Sequence, residues 1–140
     1  MIARCCAIKA EVVAADERES DLRRILNYGH TIGHAVEAAS GYSLDHGLAV
    51  AIGMVGVNEL AVGKGLLSEN TAERIREVIS SYGLPVEIPA EYDPQQIKGY
   101  MKTDKKTVGG RPFFVLPERI GKVIITDDVA EDLLGEVIGV

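Results

Sequence analysis

A long apolar segment in the first half of the chain most constrains its fold. Residues Leu48–Val57 form an unbroken run of apolar and small residues. The run is too short to span a bilayer, which takes about 20 residues, and it continues into the polar pair Asn58 and Glu59. It therefore predicts a buried helix, from about His46 to Leu66, against which the other elements pack.

The composition is that of an ordinary globular protein built around small aliphatic residues. Hydrophobic residues make up 46% of the 140 residues and charged residues 26%, whereas aromatic residues make up only 5% and tryptophan is absent. A core of Ala, Val, Ile and Leu suits closely packed helices. Because the sequence contains no internal repeat and no low-complexity linker, we expect residues 1–140 to form a single domain.

The remaining pattern predicts a mainly α fold, a multihelical array with one small β-hairpin near the C-terminus. Further helices are expected over 2–15, from Ser20 or Asp21 to about Ser40 with Gly41 as the stop, from Ser68 to near Gly83, from Asp93 or Pro94 to about Thr103, and over the last dozen residues. Two short strands, Phe113–Leu116 and Lys122–Ile125, flank a turn at Pro117–Gly121. This is too little strand for a βαβ sheet.

Charge and cysteine content argue against several classes of function. The net charge is −6 and no run of Lys or Arg exceeds two residues. This argues against a basic surface that binds the phosphate backbone of a nucleic acid. The N-terminus has no sustained apolar stretch typical of a signal peptide, and we expect neither nucleic-acid nor membrane partners. The adjacent Cys5 and Cys6 are expected to be small buried thiols in a reducing cytoplasm.

Polar residues gather on one side of the predicted second helix. On a continuous helix they share a sector about 80° wide; its members are Arg23, Asn27, His30, His34 and Glu37, joined by Glu19 if the helix reaches back that far. Aliphatic residues, among them Ile32 and Val36, occupy the opposite side. A polar stripe is usually only a solvated face.

Two glycines change the interpretation of this helix. Gly29 and Gly33 lie on one edge of it, and each costs about 1 kcal/mol relative to alanine inside a helix. A merely solvated helix gains nothing from that cost, whereas a packed helix gains the close approach of another backbone. The polar sector is therefore expected to line a cleft.

All three histidines of the chain lie within the segment from His30 to His46. A turn at Gly41 can return the chain so that His46 comes back towards His30 or His34. Imidazole is the commonest protein ligand for zinc, and catalytic zinc keeps three protein ligands and one open position. The spacing indicates a metal site without deciding which histidines are ligands, and a third ligand could lie outside this chain.

Two segments resemble the signatures of dehydroquinate synthases. Leu26–Glu37 (LNYGHTIGHAVE) is similar to their LNxGHTxGHAxE pattern, and Asp45–Met54 (DHGLAVAIGM) is similar to their HGxAVAxGM pattern. The segments 8–10, 16–17 and 104–106, together with Glu19, fall in the expected order, so the resemblance covers nearly the whole chain. Leu48 departs from it, since many members have Glu after His-Gly.

The resemblance implies a reaction and a set of roles. The family cyclises the heptulosonate phosphate of the shikimate pathway to 3-dehydroquinate with loss of phosphate, using NAD and a divalent metal, zinc or cobalt. It implies that His30 and His46 are metal ligands and that His34 is a catalytic or substrate-binding histidine. The implied contacts to substrate carboxylate, hydroxyls or phosphate are Lys9, Arg23, Asn27 and Lys105, with Glu19 as an acid lining the site.

The resemblance also implies that part of the active site lies outside this chain. The chain corresponds to the C-terminal half of a two-domain enzyme, whose N-terminal domain carries the glycine-rich NAD site and a metal-ligand glutamate. The one glycine cluster here, Gly109-Gly110, is a candidate for a hairpin-type turn and not for a nucleotide loop. We expect the chain to be inactive alone, and the full-length enzyme to be a cytoplasmic homodimer.

Two alternatives remain at this point. Another sugar phosphate cyclase, making an inosose or a valiolone, would share most of these residues, although Lys9, Arg23 and Asn27 favour dehydroquinate. A non-catalytic helical binding module is the alternative from another class, but it gives no reason for three histidines and a glycine-packed helix to coincide.

Overall fold

The computed structural model describes residues 2–15, 22–104 and 112–140. Within them the chain forms six α-helices, one short 3₁₀ helix and one hairpin: α1 Ile2–Ala15, the 3₁₀ helix Leu22–Asn27, α2 His30–Ala39, α3 His46–Gly63, α4 Glu69–Ser81, α5 Pro94–Asp104, β1 Phe114–Arg119, β2 Lys122–Thr126 and α6 Glu131–Ile138. The prediction of a mainly α array with one small hairpin near the C-terminus is confirmed.

Helix α3 is the centre of the fold, as its apolar sequence predicts. It contacts α2, α4, α6 and β1, and most of its side chains between Ala49 and Ala61 are buried. Length and hydropathy alone would also suit a membrane span, but 61% of the relevant window is buried inside the fold. Burial on several sides explains why this helix is apolar around its whole circumference.

Glycines bring the backbones of α2 and α3 into direct contact. A Cβ placed on Gly53 of α3 would overlap the carbonyl oxygen of Gly29 and would lie 2.7 Å from the amide nitrogen of Gly33. On the other side, a Cβ on Gly33 would lie 3.0 Å from the carbonyl oxygen of Ala49. The close approach expected from Gly29 and Gly33 is therefore confirmed, with Gly53 as the partner.

The prediction of one continuous helix up to Ser40 is wrong. The 3₁₀ helix ends at Asn27, and α2 begins at His30 after a break at Tyr28 and Gly29. Gly29 has a φ of 79°, which a side chain rarely tolerates. The helical-wheel angles therefore hold from His30 onward, but they do not apply to the residues before the break. The predicted caps Ser20 and Asp21 lie outside the described residues.

A buried hydrogen bond accompanies this break. The Tyr28 hydroxyl donates to Oδ1 of Asn58 on α3 over 2.5 Å, and Asn58 is 1% exposed. Burial raises the pKa of Tyr28 to about 12, although the bond to Asn58 opposes the shift. The phenol therefore stays protonated and remains a donor, so Tyr28 is tied to α3 at the point where the helix is interrupted.

The turn between α2 and α3 reverses the chain as predicted. Helix α2 ends at Ala39, and positive φ angles follow at Gly41 (64°) and Tyr42 (62°). The amide of Tyr42 donates to the carbonyl oxygen of Glu37 over 3.0 Å, and the Ser40 hydroxyl donates to the same oxygen over 2.7 Å. These bonds satisfy a backbone carbonyl at the C-terminal end of α2 and stabilise the turn that leads back into α3.

The hairpin is longer than predicted and begins next to α2. Pro117, predicted in the turn, lies in β1 opposite Val123. A two-stranded sheet leaves one edge of each strand unpaired, and proline is tolerated at such an edge. The hydroxyl of Thr31 on α2 donates to the carbonyl oxygen of Phe113 over 2.8 Å, which fixes the start of the hairpin beside the first turn of α2.

The expectation of buried cysteines is wrong for the described chain. Cys5 and Cys6 are free and exposed, and α1 has no buried residue. Helix α1 contacts the 3₁₀ helix but does not join the core. Small apolar side chains become buried only where another element of the fold covers them. Among the described residues, no element covers the side of α1 that carries Cys5 and Cys6.

The contact between α2 and α3 yields a stability prediction. Gly53→Ala should lower the free energy of unfolding by about 3 kcal/mol, because the new methyl group would collide with backbone atoms that cannot rotate away. Gly99→Ala on α5 is the matched control, since nothing lies within 4 Å of its Cβ position, and it should be neutral or stabilising by about 0.5–1 kcal/mol. Urea unfolding followed by circular dichroism measures both, and equal stability of the two variants would contradict the packing described.

Candidate metal centre

Three histidines from α2 and α3 converge. His30 is the first residue of α2, His34 follows one turn later, and His46 is the first residue of α3. One ligand atom from each imidazole lies within 4.8 Å of the other two, and the ring centroids are 5.4–5.5 Å apart. The expected return of His46 towards the other two histidines is confirmed.

The imidazole of His30 is held by the backbone of the break that precedes it. Its Nδ1 lies 3.2 Å from the carbonyl oxygen of Tyr28. Because a carbonyl can only accept, Nδ1 carries the proton and Nε2 is left as the donor atom for a metal. Burial lowers the pKa of His30, while the bond to Tyr28 opposes the shift and the neighbouring His34 and His46 add to it. The lowered pKa favours the neutral form of His30, which is the form that a metal binds.

The imidazole of His46 is held by a carboxylate. Its Nδ1 lies 3.2 Å from Oε2 of Glu37, so Nε2 again faces away from the hydrogen bond. The side chain of His46 is 52% exposed, whereas that of Glu37 is 20% exposed. The helical pattern of the sequence places Glu37 on the polar sector but assigns it no role. Its position one turn beyond His34 indicates that it faces the same cleft.

His34 differs from the other two histidines. It is exposed, and its side chain contacts the rings of His30 and His46 but makes no hydrogen bond to any of the described residues. Metal-binding histidines almost always donate their second ring nitrogen to a carbonyl, a carboxylate or water. The described part of the chain provides such partners to His30 and His46 and not to His34.

The donor set fits a divalent transition metal. Zinc–nitrogen bonds of about 2.0–2.1 Å in tetrahedral geometry place the ligand nitrogens about 3.3 Å apart. The ligand nitrogens of the cluster lie within 4.8 Å of one another, so they would have to approach by no more than about 1.5 Å to reach that spacing. Imidazole suits zinc and cobalt alike, and Nε2 of both His30 and His46 is already available.

The other predicted site residues are distributed over the neighbouring elements. Lys9 is exposed on α1, Arg23 is exposed on the 3₁₀ helix, and Asn27 is half-buried at the end of that helix. Because α1 contacts the 3₁₀ helix, these residues lie on adjoining elements that lead into His30. Glu19 and Lys105 lie outside the described residues, as does the glycine pair 109–110.

A cleft on another part of the described surface has no comparable chemistry. It has a volume of about 390 Å³ and is lined mainly by α3, α6 and the segment 86–92. Ile32 also lines it, and this residue lies about 200° around α2 from His30, so the cleft is on the other side of that helix. Its Arg76 is paired with Glu59 and Glu87. The histidine cluster is therefore the candidate site.

Sequence comparison relates the chain to a family of biosynthetic enzymes. Residues 1–107 match the family model described as 3-dehydroquinate synthase C-terminal. A 3-dehydroquinate synthase from Desulforamulus reducens is 53% identical over 128 residues, which cover 91% of this chain and 36% of the relative. Across this and other curated synthases, the chain spans between 35% and 39% of the length of the relative.

Structural comparison finds related cyclases. A 2-deoxy-scyllo-inosose synthase complexed with carbaglucose-6-phosphate, NAD⁺ and Co²⁺ is 30% identical with a TM-score of 0.85, covering 98% of this chain and 39% of that one. A 2-epi-5-epi-valiolone synthase from Streptomyces hygroscopicus subsp. jinggangensis 5008, with NAD⁺ and Zn²⁺ bound, is 30% identical with a TM-score of 0.78, covering 91% of this chain and 35% of that one.

The geometry predicts weak, pH-dependent zinc binding by this chain. The described residues of the cluster supply only imidazoles, so we expect water to complete the coordination and the affinity to be low. Protons compete for the imidazoles, so affinity should fall as the pH is lowered from about 8 to about 5. Since burial lowers the pKa of His30, this imidazole should stay neutral to a lower pH than an ordinary histidine.

Competition with a chromophoric chelator at a series of pH values measures this affinity, with His46→Ala as the control that removes one donor. Zinc that survives dialysis against a strong chelator, or an affinity independent of pH, would contradict the prediction.

Proposed function

The chain belongs to the 3-dehydroquinate synthase family, and from that premise we propose that it is the C-terminal, metal-bearing domain of a two-domain 3-dehydroquinate synthase. The proposal is supported by the match over residues 1–107 and by the convergence of His30, His34 and His46 in the segments that carry the family signatures. Because the chain spans little more than a third of its relatives, the NAD-binding domain is assigned to the remaining length.

The proposed reaction is the cyclisation of a heptulosonate phosphate to 3-dehydroquinate with release of phosphate. NAD⁺ held by the remaining part of the enzyme would supply a transient oxidation of one substrate hydroxyl, so the overall reaction is redox-neutral. The observation that carries the proposal is the histidine cluster formed by α2 and the first residue of α3, because it places metal-binding groups in the segments that the family shares.

The hydrogen bonds of the cluster support a division of roles. His30 and His46 each have Nδ1 engaged, by the Tyr28 carbonyl and by Glu37, so they are the proposed metal ligands. A bound zinc or cobalt ion would orient a substrate hydroxyl and polarise the carbonyl that forms from it. His34 has a free imidazole among the described residues and is proposed to bind substrate or move a proton.

The remaining residues are proposed to hold the substrate. Cationic and amide side chains of Lys9, Arg23, Asn27 and Lys105 would bind carboxylate, hydroxyls and phosphate, with Glu19 as an acid lining the site. Holding a flexible acyclic phosphate in a folded pose favours ring closure through proximity. The exposed positions of Lys9 and Arg23 on adjoining elements are consistent with this role.

A related cyclase remains the second candidate function. The solved neighbours make an inosose and a valiolone, as their names state, but they are 30% identical to this chain, whereas a 3-dehydroquinate synthase is 53% identical. The higher identity to a 3-dehydroquinate synthase favours 3-dehydroquinate as the product. A non-catalytic binding module is disfavoured by the family match. The full-length enzyme is further proposed to be a cytoplasmic homodimer.

The chain alone should have no synthase activity. The family's NAD site and one metal ligand are assigned to the part of the relatives that the chain does not span, so hydride transfer cannot occur. The test is release of inorganic phosphate from the heptulosonate phosphate, with NAD⁺ and zinc supplied. The positive control is a fusion of this chain to the preceding part of the Desulforamulus reducens relative. Phosphate release and dehydroquinate formation by the unfused chain would refute this division of the active site.

The two histidines of α2 should separate by function in that active fusion. His30→Ala should lose metal and activity together, because it removes an anchored ligand. His34→Ala should retain the metal but lower kcat by roughly 10²–10⁴-fold, the range for loss of a proton-transferring group. Metal content by atomic absorption and steady-state kinetics measure both effects. If His34→Ala loses metal as completely as His30→Ala, the two histidines are equivalent ligands and the assignment fails.

A further inference from the structure

We propose that Glu37 is a positioning residue that fixes the tautomer and direction of His46 and thereby sets the metal affinity of the site. The inference rests on the proposed function, in which His46 is a metal ligand, and adds to it a residue that has no role so far. The observation behind it is the contact of 3.2 Å between Oε2 of Glu37 and Nδ1 of His46.

Glu37 is the more firmly held partner of the pair. Its backbone carbonyl accepts hydrogen bonds from the Tyr42 amide and the Ser40 hydroxyl at the end of α2. Its side chain is 20% exposed, against 52% for His46. An exposed imidazole at the first residue of a helix can rotate unless it is anchored. The carboxylate is the less exposed of the two groups and is carried on the hydrogen-bonded end of α2, so it is the partner that would fix where Nε2 of His46 points.

The charge balance around Glu37 indicates the same role. Within the described residues, His46 is the one side chain that forms an ion pair or hydrogen bond with its carboxylate. A carboxylate that is partly buried loses some of its hydration and gains most from a hydrogen-bond donor beside it. Its placement is explained if it accepts a hydrogen bond from Nδ1–H of His46. That bond leaves Nε2 unprotonated and makes it a better electron donor to a metal ion.

Glu37 also completes a symmetry between the two proposed ligands. His30 has its Nδ1 fixed by the Tyr28 carbonyl at 3.2 Å, the same distance as the contact between His46 and Glu37. One ligand is therefore oriented by the backbone break before α2 and the other by a side chain near the end of α2. A carboxylate partner also lends the imidazole negative charge, which a neutral carbonyl cannot do to the same degree.

A purely structural role is the competing explanation. The pair joins the last turn of α2 to the first residue of α3, so it could serve only to clasp the intervening turn. Such a clasp would affect the stability of the metal-free chain and leave metal affinity unchanged. A partly exposed pair of this kind contributes little to stability, so the two roles are separable by measuring stability and metal binding on the same variants.

The experiment uses the 140-residue chain and Co²⁺, whose absorption spectrum reports binding directly. Glu37→Gln keeps the shape of the side chain and removes its charge. Glu37→Asp keeps the charge but shortens the side chain by one methylene, which moves the carboxylate away from His46. Glu77→Gln is the matched control, because Glu77 is exposed on α4 and has no ion pair among the described residues. Thermal unfolding without metal is recorded for all four proteins.

We expect both Glu37 variants to bind Co²⁺ about 10- to 100-fold more weakly, with the control equal to wild type. Long-range ¹H–¹⁵N spectra of the metal-free chain should show the Nδ1–H tautomer of His46 in wild type and a mixture of tautomers in Glu37→Asp.

Unchanged Co²⁺ affinity in both Glu37 variants would overturn the positioning role, whatever their thermal stability, and would leave the proposed function intact. If Glu37→Asp does not fold, Glu37→Gln decides the question. A wild-type chain that binds no Co²⁺ at all would overturn the metal-bearing function together with this inference.

Discussion

The contact between the backbones of α2 and α3 is the constraint on which the rest of the structure depends. Gly53 meets the carbonyl of Gly29 and the amide of Gly33 with no room for a side chain at Gly53. This close approach keeps the imidazoles carried by α2 within reach of His46 at the start of α3. A larger residue at Gly53 would push the helices apart and open the cluster, so the glycines define the site as well as the packing.

Core and site are linked through the interruption before α2. The hydroxyl of Tyr28 lies in the core and donates a hydrogen bond to Asn58. Its backbone carbonyl faces the site and accepts a hydrogen bond from Nδ1–H of His30. Tyr28 therefore links α3 to His30, a proposed metal ligand, so the position of α3 affects the orientation of that imidazole. Such direct coupling means that the orientation of His30 depends on packing and not on a flexible side chain, which favours a preorganised centre.

Sequence periodicity predicts most of the helices well, because the apolar residues of α2 to α6 face a shared core around α3. It does not predict the break at Tyr28 and Gly29, since a glycine spaced four residues from another is equally compatible with a continuous packed helix. The positive φ of Gly29 arises together with tertiary contacts to Met54 on α3. Likewise, exposure of Cys5 and Cys6 depends on which element covers α1, and residue type alone contains no information about that.

The candidate site is predictable only in part for a similar reason. The convergence of the three histidines follows from helix geometry and one turn, but their separate roles depend on their hydrogen-bond partners. Tyr28 contributes a carbonyl oxygen to His30, which every residue possesses, so no pattern of side chains could reveal its role. Glu37 is visible on the polar sector, yet its bond to His46 depends on the conformation of the turn at Gly41 and Tyr42. Because the backbone of that turn sets the distance between the two side chains, the orientation of His46 is a tertiary property of the fold.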